Sequence, residues 1–111
     1  MFAVHHKLDN LIVVVDVNGL QYGGKTSDVM NLQPLGKKFE DFGWNVIETA
    51  GNDISQLQRA LSKDNKVYGK PTCVIANTVK GYGVSFIANN NDWHHAHLSK
   101  EIFDRAMNEL V

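Results

Sequence analysis

Three stretches of the sequence carry residue types that can bind an anion or transfer a proton. The first, residues 19–26, reads Gly-Leu-Gln-Tyr-Gly-Gly-Lys-Thr and matches the G-x-x-x-x-G-K-[ST] pattern of a phosphate-binding P-loop. In that motif the lysine and threonine open a long, partly apolar helix whose N-terminal amides hold the phosphates. Here only seven residues separate Thr26 from Pro34, and no later strand ends in an aspartate suited to Mg²⁺. P-loop nucleotide binding is therefore a minor alternative.

The second stretch, Lys80-Gly81-Tyr82-Gly83-Val84-Ser85-Phe86, begins like a G-x-G-x-x-G dinucleotide-binding fingerprint. Phe86 stands at the third glycine position and three asparagines follow in place of a helix, so this interpretation fails on context. A glycine-bearing loop after a strand remains, with backbone amides free to approach an anion and with Lys80 as a neighbouring charge. A plain turn with a solvated lysine is the competing interpretation.

The third stretch places His94, His95 and His97 beside Trp93 and invites a zinc hypothesis. Adjacent histidines cannot easily point at one ion, Cys73 is the only thiol, and a mononuclear site needs three or four converging ligands. A hydrogen-bonding or proton-transfer role for one histidine at a pocket edge fits the pattern better. At least one of the three is expected to be a solvated loop residue.

The composition excludes several classes of function. The 111 residues suffice for one domain, and 11 Lys and Arg against 12 Asp and Glu give a formal net charge of -1. That balance offers no case for binding nucleic acid or a membrane surface. The longest apolar run, Leu11–Val15, is far shorter than the ~20 residues of a spanning helix, and residues 1–6 lack a signal-peptide core. The single cysteine lies in an apolar run, which indicates a buried thiol and a reducing, cytoplasmic setting.

The elements that must position these residues alternate between strand and helix. Leu11–Val15 is apolar on both faces, which predicts a central parallel strand covered on two sides and ended by the turn formers Asp16–Gly19. We predict, in order, a loop over 21–31, a helix from Pro34 to Gly43, a strand at Trp44–Thr49, a helix capped by Asp53, a strand at Pro71–Val79, an irregular stretch at Gly81–Asp92, and a helix capped by Ser99. The last helix is expected to turn Ile102, Phe103, Ala106, Met107 and Leu110 inward. The pattern predicts an α/β fold, a parallel sheet flanked by helices.

The first residues do not resemble a natural beginning. Phe2–Lys7 would suit the last turns of a helix leading into the first strand, but about two turns are too short to form alone in water. We therefore expect residues 1–111 to be a partial domain, truncated at its N-terminal side.

A further signal lies in the order of short segments along nearly the whole chain. They are Lys7–Ile12, Asp16-x-Asn18-Gly19-Leu20-Gln21, Gly24-Lys25-Thr26, Phe42-Gly43-Trp44-x-Val46-Ile47-Glu48, Gly69–Thr72, Ala76-Asn77-Thr78-Val79-Lys80-Gly81-x-Gly83-Val84-Ser85-Phe86 and Trp93-His94. Taken together, in this order and with similar spacing, these segments closely resemble the thiamine-diphosphate-binding domain of transketolases. The specificity comes from the ordered series and not from any single motif.

The resemblance implies a metal site that bridges the two phosphates of the cofactor. It makes the Asn18 side chain and the Leu20 backbone carbonyl ligands of Mg²⁺ or Ca²⁺, ions that prefer oxygen donors. Asp16 corresponds to an acidic neighbour of this site. A further ligand of the family belongs to a Gly-Asp-Gly turn, which the resemblance places just before residue 1.

The resemblance also implies roles for the glycine-bearing loop after Lys80 and for the histidine stretch. Lys80 and Gly81 correspond to a loop that lies along the diphosphate, where Lys80 would form a charge-assisted hydrogen bond. His94 corresponds to a histidine near the diphosphate and the reacting sugar, which makes it the candidate catalytic residue.

The implied reaction is the transfer of a two-carbon ketol unit between sugar phosphates, with thiamine diphosphate as electron sink. We expect the isolated chain to be inactive, because the resemblance places other cofactor-binding elements outside these residues. Complementary transketolase chains, or a homo-oligomer, would supply them. The alternative from another class is a non-catalytic α/β association module that binds a partner through an open sheet edge or an uncovered apolar face.

Overall fold

The computed structural model describes residues 1–110. The strands are β1 (Ile12–Val17), β2 (Leu20–Gln21), β3 (Gly24–Lys25), β4 (Asn45–Ala50) and β5 (Thr72–Asn77). The helices are α1 (Phe2–His5), α2 (Thr26–Val29), α3 (Leu35–Asp41), α4 (Ile54–Ala60) and α5 (Lys100–Glu109), with 3₁₀ helices at Lys63–Asn65 and Asn91–His94. None of the helices within residues 1–110 has the length and apolar character needed to span a membrane.

The chain divides into two compact units that interleave along the sequence. The first, which we call the sheet unit, comprises Met1–Val17 and Leu32–Thr78. The second, the loop unit, comprises Asn18–Asn31 and the residues from Val79 onward. The chain therefore leaves the sheet unit directly after β1, returns to it before α3, and leaves it again after β5.

The sheet unit is built on three parallel strands in the order β1-β5-β4. Ile12 and Asn45 both pair with Thr72, and the register continues to the pairing of Val17 and Ala50 with Asn77. The carboxyl ends of all three strands consequently meet at one edge of the sheet. This arrangement confirms the predicted parallel sheet flanked by helices.

The central strand is β5 and not, as predicted, the first strand. Val74 of β5 is 0% exposed, and Cys73 beside it is buried as predicted, so that burial raises the pKa of its thiol. In β1 exposure alternates, with Ile12 47% and Val14 51% exposed. The prediction of two covered faces was wrong, since the face of β1 that carries Ile12 and Val14 is about half exposed within residues 1–110. The prediction of a central strand was wrong because β1 lies at the edge of this sheet. An apolar run identifies a strand but cannot tell whether its second face is covered within the same chain.

Two helices of the sheet unit pack against β4. Gly36 of α3 faces Val46 and Glu48, where a Cβ would come within 2.8 Å of the Glu48 carboxylate, so the helix approaches the strand closely. The predicted N-cap of α4 is confirmed, since the Asp53 side chain accepts a hydrogen bond from the Gln56 amide. The helix from Pro34 is confirmed as α3 and ends shortly before Gly43.

The loop unit departs further from prediction. The expected loop over 21–31 contains the antiparallel pair β2–β3 and the single turn α2. The cap of α5 is confirmed, because Ser99 Oγ accepts from the Ile102 amide. However, α5 has no fully buried residue, and Phe103, Met107 and Leu110 are each about half exposed. Ile102 and Ala106, predicted to turn inward with them, are half-buried, so the prediction is confirmed for these two and wrong for the other three. Helical spacing shows that residues share a face but not that the whole face is covered.

Candidate functional site

The carboxyl end of β1 carries an acidic group held by the neighbouring strand segment. Asp16 lies within the strand, which runs to Val17, so the turn begins two residues later than predicted. The Thr78 hydroxyl donates a short hydrogen bond to the Asp16 carboxylate, and the Thr78 amide donates to the Val17 carbonyl at 3.2 Å. The Asp16 side chain is exposed and is oriented by a partner from beyond β5.

Directly after β1, Asn18 shapes a tight turn in the loop unit. Its Oδ1 accepts a hydrogen bond of 3.0 Å from the Leu20 amide. The Gly19 carbonyl accepts from the Thr26 amide at 2.9 Å and from the Thr26 hydroxyl at 3.3 Å, which ties the turn to the far side of the hairpin. Asn18 Oδ1 has two lone pairs and uses one of them in this turn, so an oxygen acceptor remains available.

The P-loop match has none of the structure that this motif requires. Gly24 and Lys25 form β3, paired with β2, and Thr26 opens a helix of only four residues. A P-loop needs a glycine-rich arch followed by a long helix whose free amides face the phosphates. The hairpin provides neither, so its geometry does not favour P-loop nucleotide binding.

The loop at Lys80–Gly83 is fixed by its own backbone and leaves donors free. The Asn89 amide donates to the Lys80 carbonyl at 2.8 Å, and the Val84 amide donates to the Gly81 carbonyl at 3.3 Å. Gly81 has φ +69°, and a Cβ there would collide with Ile87. Within residues 1–110 neither the Lys80 ammonium nor the Gly81 and Gly83 amides have a hydrogen-bond or ion-pair partner. These donors suit an anion.

The histidine stretch begins in the 3₁₀ helix Asn91–His94, also in the loop unit. The His94 ring is exposed and lies edge-on to Tyr22, with 5.8 Å between the ring centroids. Asn91 Nδ2 donates to the Tyr22 carbonyl at 3.1 Å, while Asn91 Oδ1 is buried without a hydrogen-bond partner in the described part of the chain. His94 is therefore held against the tip of the β2–β3 hairpin.

His95 and His97 are exposed and have no such support. Across residues 1–110 no group of three or more His, Cys, Asp or Glu side chains is arranged to hold a metal ion.

Sequence reasoning missed three residues that position the predicted ones. Thr78 orients Asp16, and Tyr22 and Asn91 together support His94. Tyr22 occupies an unspecified position of the P-loop pattern, and Asn91 ends a run of three asparagines. Periodicity carries no signal for such contacts, since Tyr22 and Asn91 are far apart in sequence. The asparagine run itself was the available hint, because asparagine favours turns and local caps.

Residues 1–110 match the family model described as transketolase, thiamine diphosphate binding domain. The chain is 44% identical over 108 residues to one of the subunits of an apulose-4-phosphate transketolase of Actinobacillus succinogenes. It is 34% identical over 110 residues to the 6-deoxy-6-sulfo-D-fructose transketolase subunit SqwG of a Clostridium species.

These alignments cover 97% and 99% of this chain but 39% and 40% of the two relatives, so the chain spans about two fifths of their length. Among solved structures, the crystal structure of transketolase from Campylobacter jejuni matches with a TM-score of 0.87 at 28% identity. That match covers 98% of this chain and 17% of the other.

Proposed function

The chain belongs to the family of transketolase thiamine diphosphate-binding domains, and from this we propose that it supplies part of the cofactor site of a transketolase-type enzyme. The proposed reaction moves a two-carbon ketol unit between sugar phosphates, in the cytoplasm. The observation that carries the proposal is the loop at Lys80–Gly83, whose unpaired donors belong to the same compact unit as the Asn18 turn.

Within this proposal the Lys80–Gly83 loop receives the diphosphate. The Gly81 and Gly83 amides offer two neutral donors, and the Lys80 ammonium adds a positive charge. Hydrogen bonds between charged partners are about twice as strong as neutral ones, so Lys80 contributes most to affinity. The Asn89 and Val84 amides donate to the Lys80 and Gly81 carbonyls, which constrains the loop before binding and lowers the entropic cost of ordering it.

The donor set of the Asn18 turn fits a hard divalent ion. Asn18 Oδ1 and the Leu20 carbonyl are neutral oxygens, which Mg²⁺ and Ca²⁺ accept as ligands. Mg²⁺ is commonly held by few protein groups together with phosphate oxygens, which fits a chain without an acidic cluster among its described residues. We assign Asp16, two positions before Asn18 and oriented by Thr78, as the acidic neighbour of this metal.

His94 is proposed as the catalytic residue. Its exposed imidazole presents ring nitrogens that form hydrogen bonds. The Tyr22 ring and the Asn91–Tyr22 hydrogen bond hold the segment, so that the imidazole is oriented before a sugar phosphate arrives. Thiamine diphosphate, when bound, supplies the electron sink for the two-carbon unit.

The complete enzyme is proposed to need more protein than these residues. The curated relatives are more than twice as long as the matched segment, and the Actinobacillus relative is itself described as a single subunit of its transketolase. We propose that complementary transketolase chains, or a homo-oligomer, complete the site. The isolated 111-residue chain is then expected to show no turnover of xylulose 5-phosphate with ribose 5-phosphate. Turnover by protein shown by intact mass to be free of partner chains would contradict this.

The experiment that tests the proposal is a calorimetric titration of the Mg²⁺-replete chain with thiamine diphosphate. We expect micromolar binding, about 8 kcal/mol, and a loss of about tenfold or more in affinity for Asn18→Ala and for Lys80→Gln. The matched controls are Asn10→Ala and Lys70→Gln, exposed residues of the same types in the sheet unit. They are expected to bind like the parent.

Two results would overturn this assignment. Binding that survives both Asn18→Ala and Lys80→Gln would place the cofactor elsewhere on the chain. No binding by protein that is folded by circular dichroism would favour the non-catalytic association module, for which the exposed Ile12 and Val14 side chains of edge strand β1 are the supporting observation.

A further inference from the structure

The segment that follows Gly83 is held by the end of α5. The Ser85 amide donates to Glu109 Oε2 at 2.5 Å, and the Ser85 hydroxyl donates to Glu109 Oε1 at 2.9 Å. One turn earlier in the helix, the Arg105 guanidinium lies 4.1 Å from the centre of the Phe86 ring. Two consecutive loop residues are thus fixed by side chains four positions apart on one helix face.

These contacts lead directly to the two segments proposed to meet cofactor and substrate. Val84, which precedes the anchored serine, is 8% exposed, and its amide donates to the Gly81 carbonyl. Phe86 packs edge-on against Trp93 with 5.6 Å between ring centroids, and His94 is the next residue. The end of α5 therefore braces both segments inside the loop unit.

Glu109 is poorly placed to stabilise its own helix. It is the last residue of α5, where the partial negative charge of the helix end disfavours a carboxylate. The two Ser85 hydrogen bonds, with a smaller contribution from the Arg105 charge, nevertheless hold the pKa of Glu109 below its usual range. The Glu109 carboxylate is therefore stabilised by its hydrogen bonds to the loop and not by its position in the helix.

We propose that Glu109 is a positioning residue that, through Ser85, holds the Lys80–Gly83 loop in the conformation in which its free amides receive the diphosphate. The inference rests on the proposed function. Glu109 acts through the loop backbone, and its partners are groups of this chain. Affinity for the diphosphate should therefore depend on a residue whose own hydrogen bonds all lie within the protein.

The test compares Glu109→Gln with Asp104→Asn, an exposed acid of the same helix whose carboxylate pairs with Lys100 at 2.8 Å and not with the loop in the described part of the chain. Hydrogen exchange of the Ser85 amide, measured without cofactor, should accelerate in Glu109→Gln and stay unchanged in Asp104→Asn. Thiamine diphosphate with Mg²⁺ should bind about tenfold more weakly to Glu109→Gln. The thermal midpoint should fall only slightly, because the contact lies at the surface.

A second pair of variants separates positioning from general stability. Ser85→Thr keeps the amide and hydroxyl donors and should retain the affinity of the parent, whereas Ser85→Ala should lose part of it. If the parent binds the cofactor and Glu109→Gln binds it equally well, the positioning role is wrong and the proposed function stands. If the parent itself does not bind, both are wrong, so the two failures are distinguishable.

Discussion

Different interactions stabilise the inside of the sheet unit and the inside of the loop unit. In the sheet unit, three parallel strands share a continuous ladder, and the buried apolar run of β5 forms the core. In the part of the loop unit that the structure describes, the strands have two residues each, and single side chains such as Asn18, Asn91 and Glu109 secure the backbone. The residues proposed for chemistry, apart from Asp16, lie in the second unit. The stable part of the molecule and its functional part are thus built on different interactions.

Mutations in the two units should therefore have different kinds of effect. A core substitution in the sheet unit reduces the buried apolar area of a core that all three strands share. It should therefore lower the free energy of unfolding of the whole unit. A change in the loop unit removes one contact that fixes one backbone segment, so its effect should be local. The following predictions test this contrast, beginning with the largest effect.

The largest effect is expected from truncating the core strand. Val74→Ala removes two methyl groups from a fully buried site and should lower the free energy of unfolding by about 2–3 kcal/mol. Val14→Ala is the matched control, because this side chain on neighbouring β1 is 51% exposed. Urea denaturation measures both, and Val14→Ala should cost under about 1 kcal/mol. Equal losses would mean that β1 is covered as fully as β5.

An intermediate loss of stability is expected from substituting either of two glycines that both have a left-handed backbone conformation. Gly81 has φ +69° in the loop unit and Gly69 has φ +71° in the sheet unit. Alanine costs about 1–2 kcal/mol in this conformation at either position. Gly81→Ala must in addition displace Ile87, whereas the nearest atom to a Cβ at Gly69 is Lys7 Cδ at 3.8 Å.

Gly81→Ala should therefore destabilise the protein more than Gly69→Ala, and its effect should be concentrated in the Lys80–Gly83 loop. Hydrogen exchange of the Val84 amide, which donates to the Gly81 carbonyl, reports this local change. The expected result is that exchange accelerates at Val84 and not in β5. If Gly81→Ala accelerated exchange throughout β5 as much as at Val84, mutations in the loop unit would not have local effects.

The smallest effect is expected from two surface carboxylates on lowering the pH. The Gly69 amide and then Lys66 hold the pKa of Asp9 below its usual range, and Ser85 does the same for Glu109. A carboxylate with a depressed pKa stabilises the fold above its unfolded-state pKa, and that stabilisation is lost as pH falls through its folded-state pKa. Both contributions should thus be complete at neutral pH and decline below about pH 4–5.

Salt distinguishes the two carboxylates. Asp9 forms an ion pair with Lys66 at 3.1 Å, whereas both donors to Glu109 are neutral groups of Ser85. Added salt screens the ion pair more than the neutral hydrogen bonds. The titration midpoint of Asp9, followed by NMR through the Gly69 amide, should therefore rise more with salt than that of Glu109, followed through Ser85. An equal rise would show that the Arg105 charge dominates at Glu109.

Much of the sheet unit was predictable, because its signals are local. Asp53 was identified as a helix cap from residue type and spacing, and it accepts the expected amide hydrogen bond, as Ser99 does in the loop unit. The helix ending before Gly43 and the strand that follows it were found in the same way. Alternating strands and helices then sufficed to predict the parallel sheet.

The order of the strands was not predictable, because it depends on which apolar strand gains two neighbours. The run at Leu11–Val15 is more β-branched than Thr72–Asn77, yet the latter is central. The composition of a segment indicates whether it can be buried. Which segment becomes the central strand depends on its pairing with strands distant in sequence.

The candidate site was only partly predictable for a related reason. The resemblance suggested Asn18, Lys80 and His94, and the roles of these residues remain proposals. The contacts that support them, from Tyr22 to His94, from Asn91 to Tyr22 and from Glu109 to Ser85, join residues distant in sequence. No periodic pattern encodes such single contacts.

The pairing of β1 with β5 means that β1 is synthesised well before its partner strand during translation. Ile12 pairs with Thr72, so the two strands are separated by some sixty positions of sequence. At translation rates of about 5–20 residues per second, β1 waits about 3–12 s after its own synthesis before its partner exists. Within residues 1–110, β5 is the strand that pairs with the apolar Val13-Val14-Val15 segment of β1. Ribosome-associated chaperones that bind short apolar segments are expected to engage β1 during this wait, and slower translation of residues 18–71 should lengthen their residence.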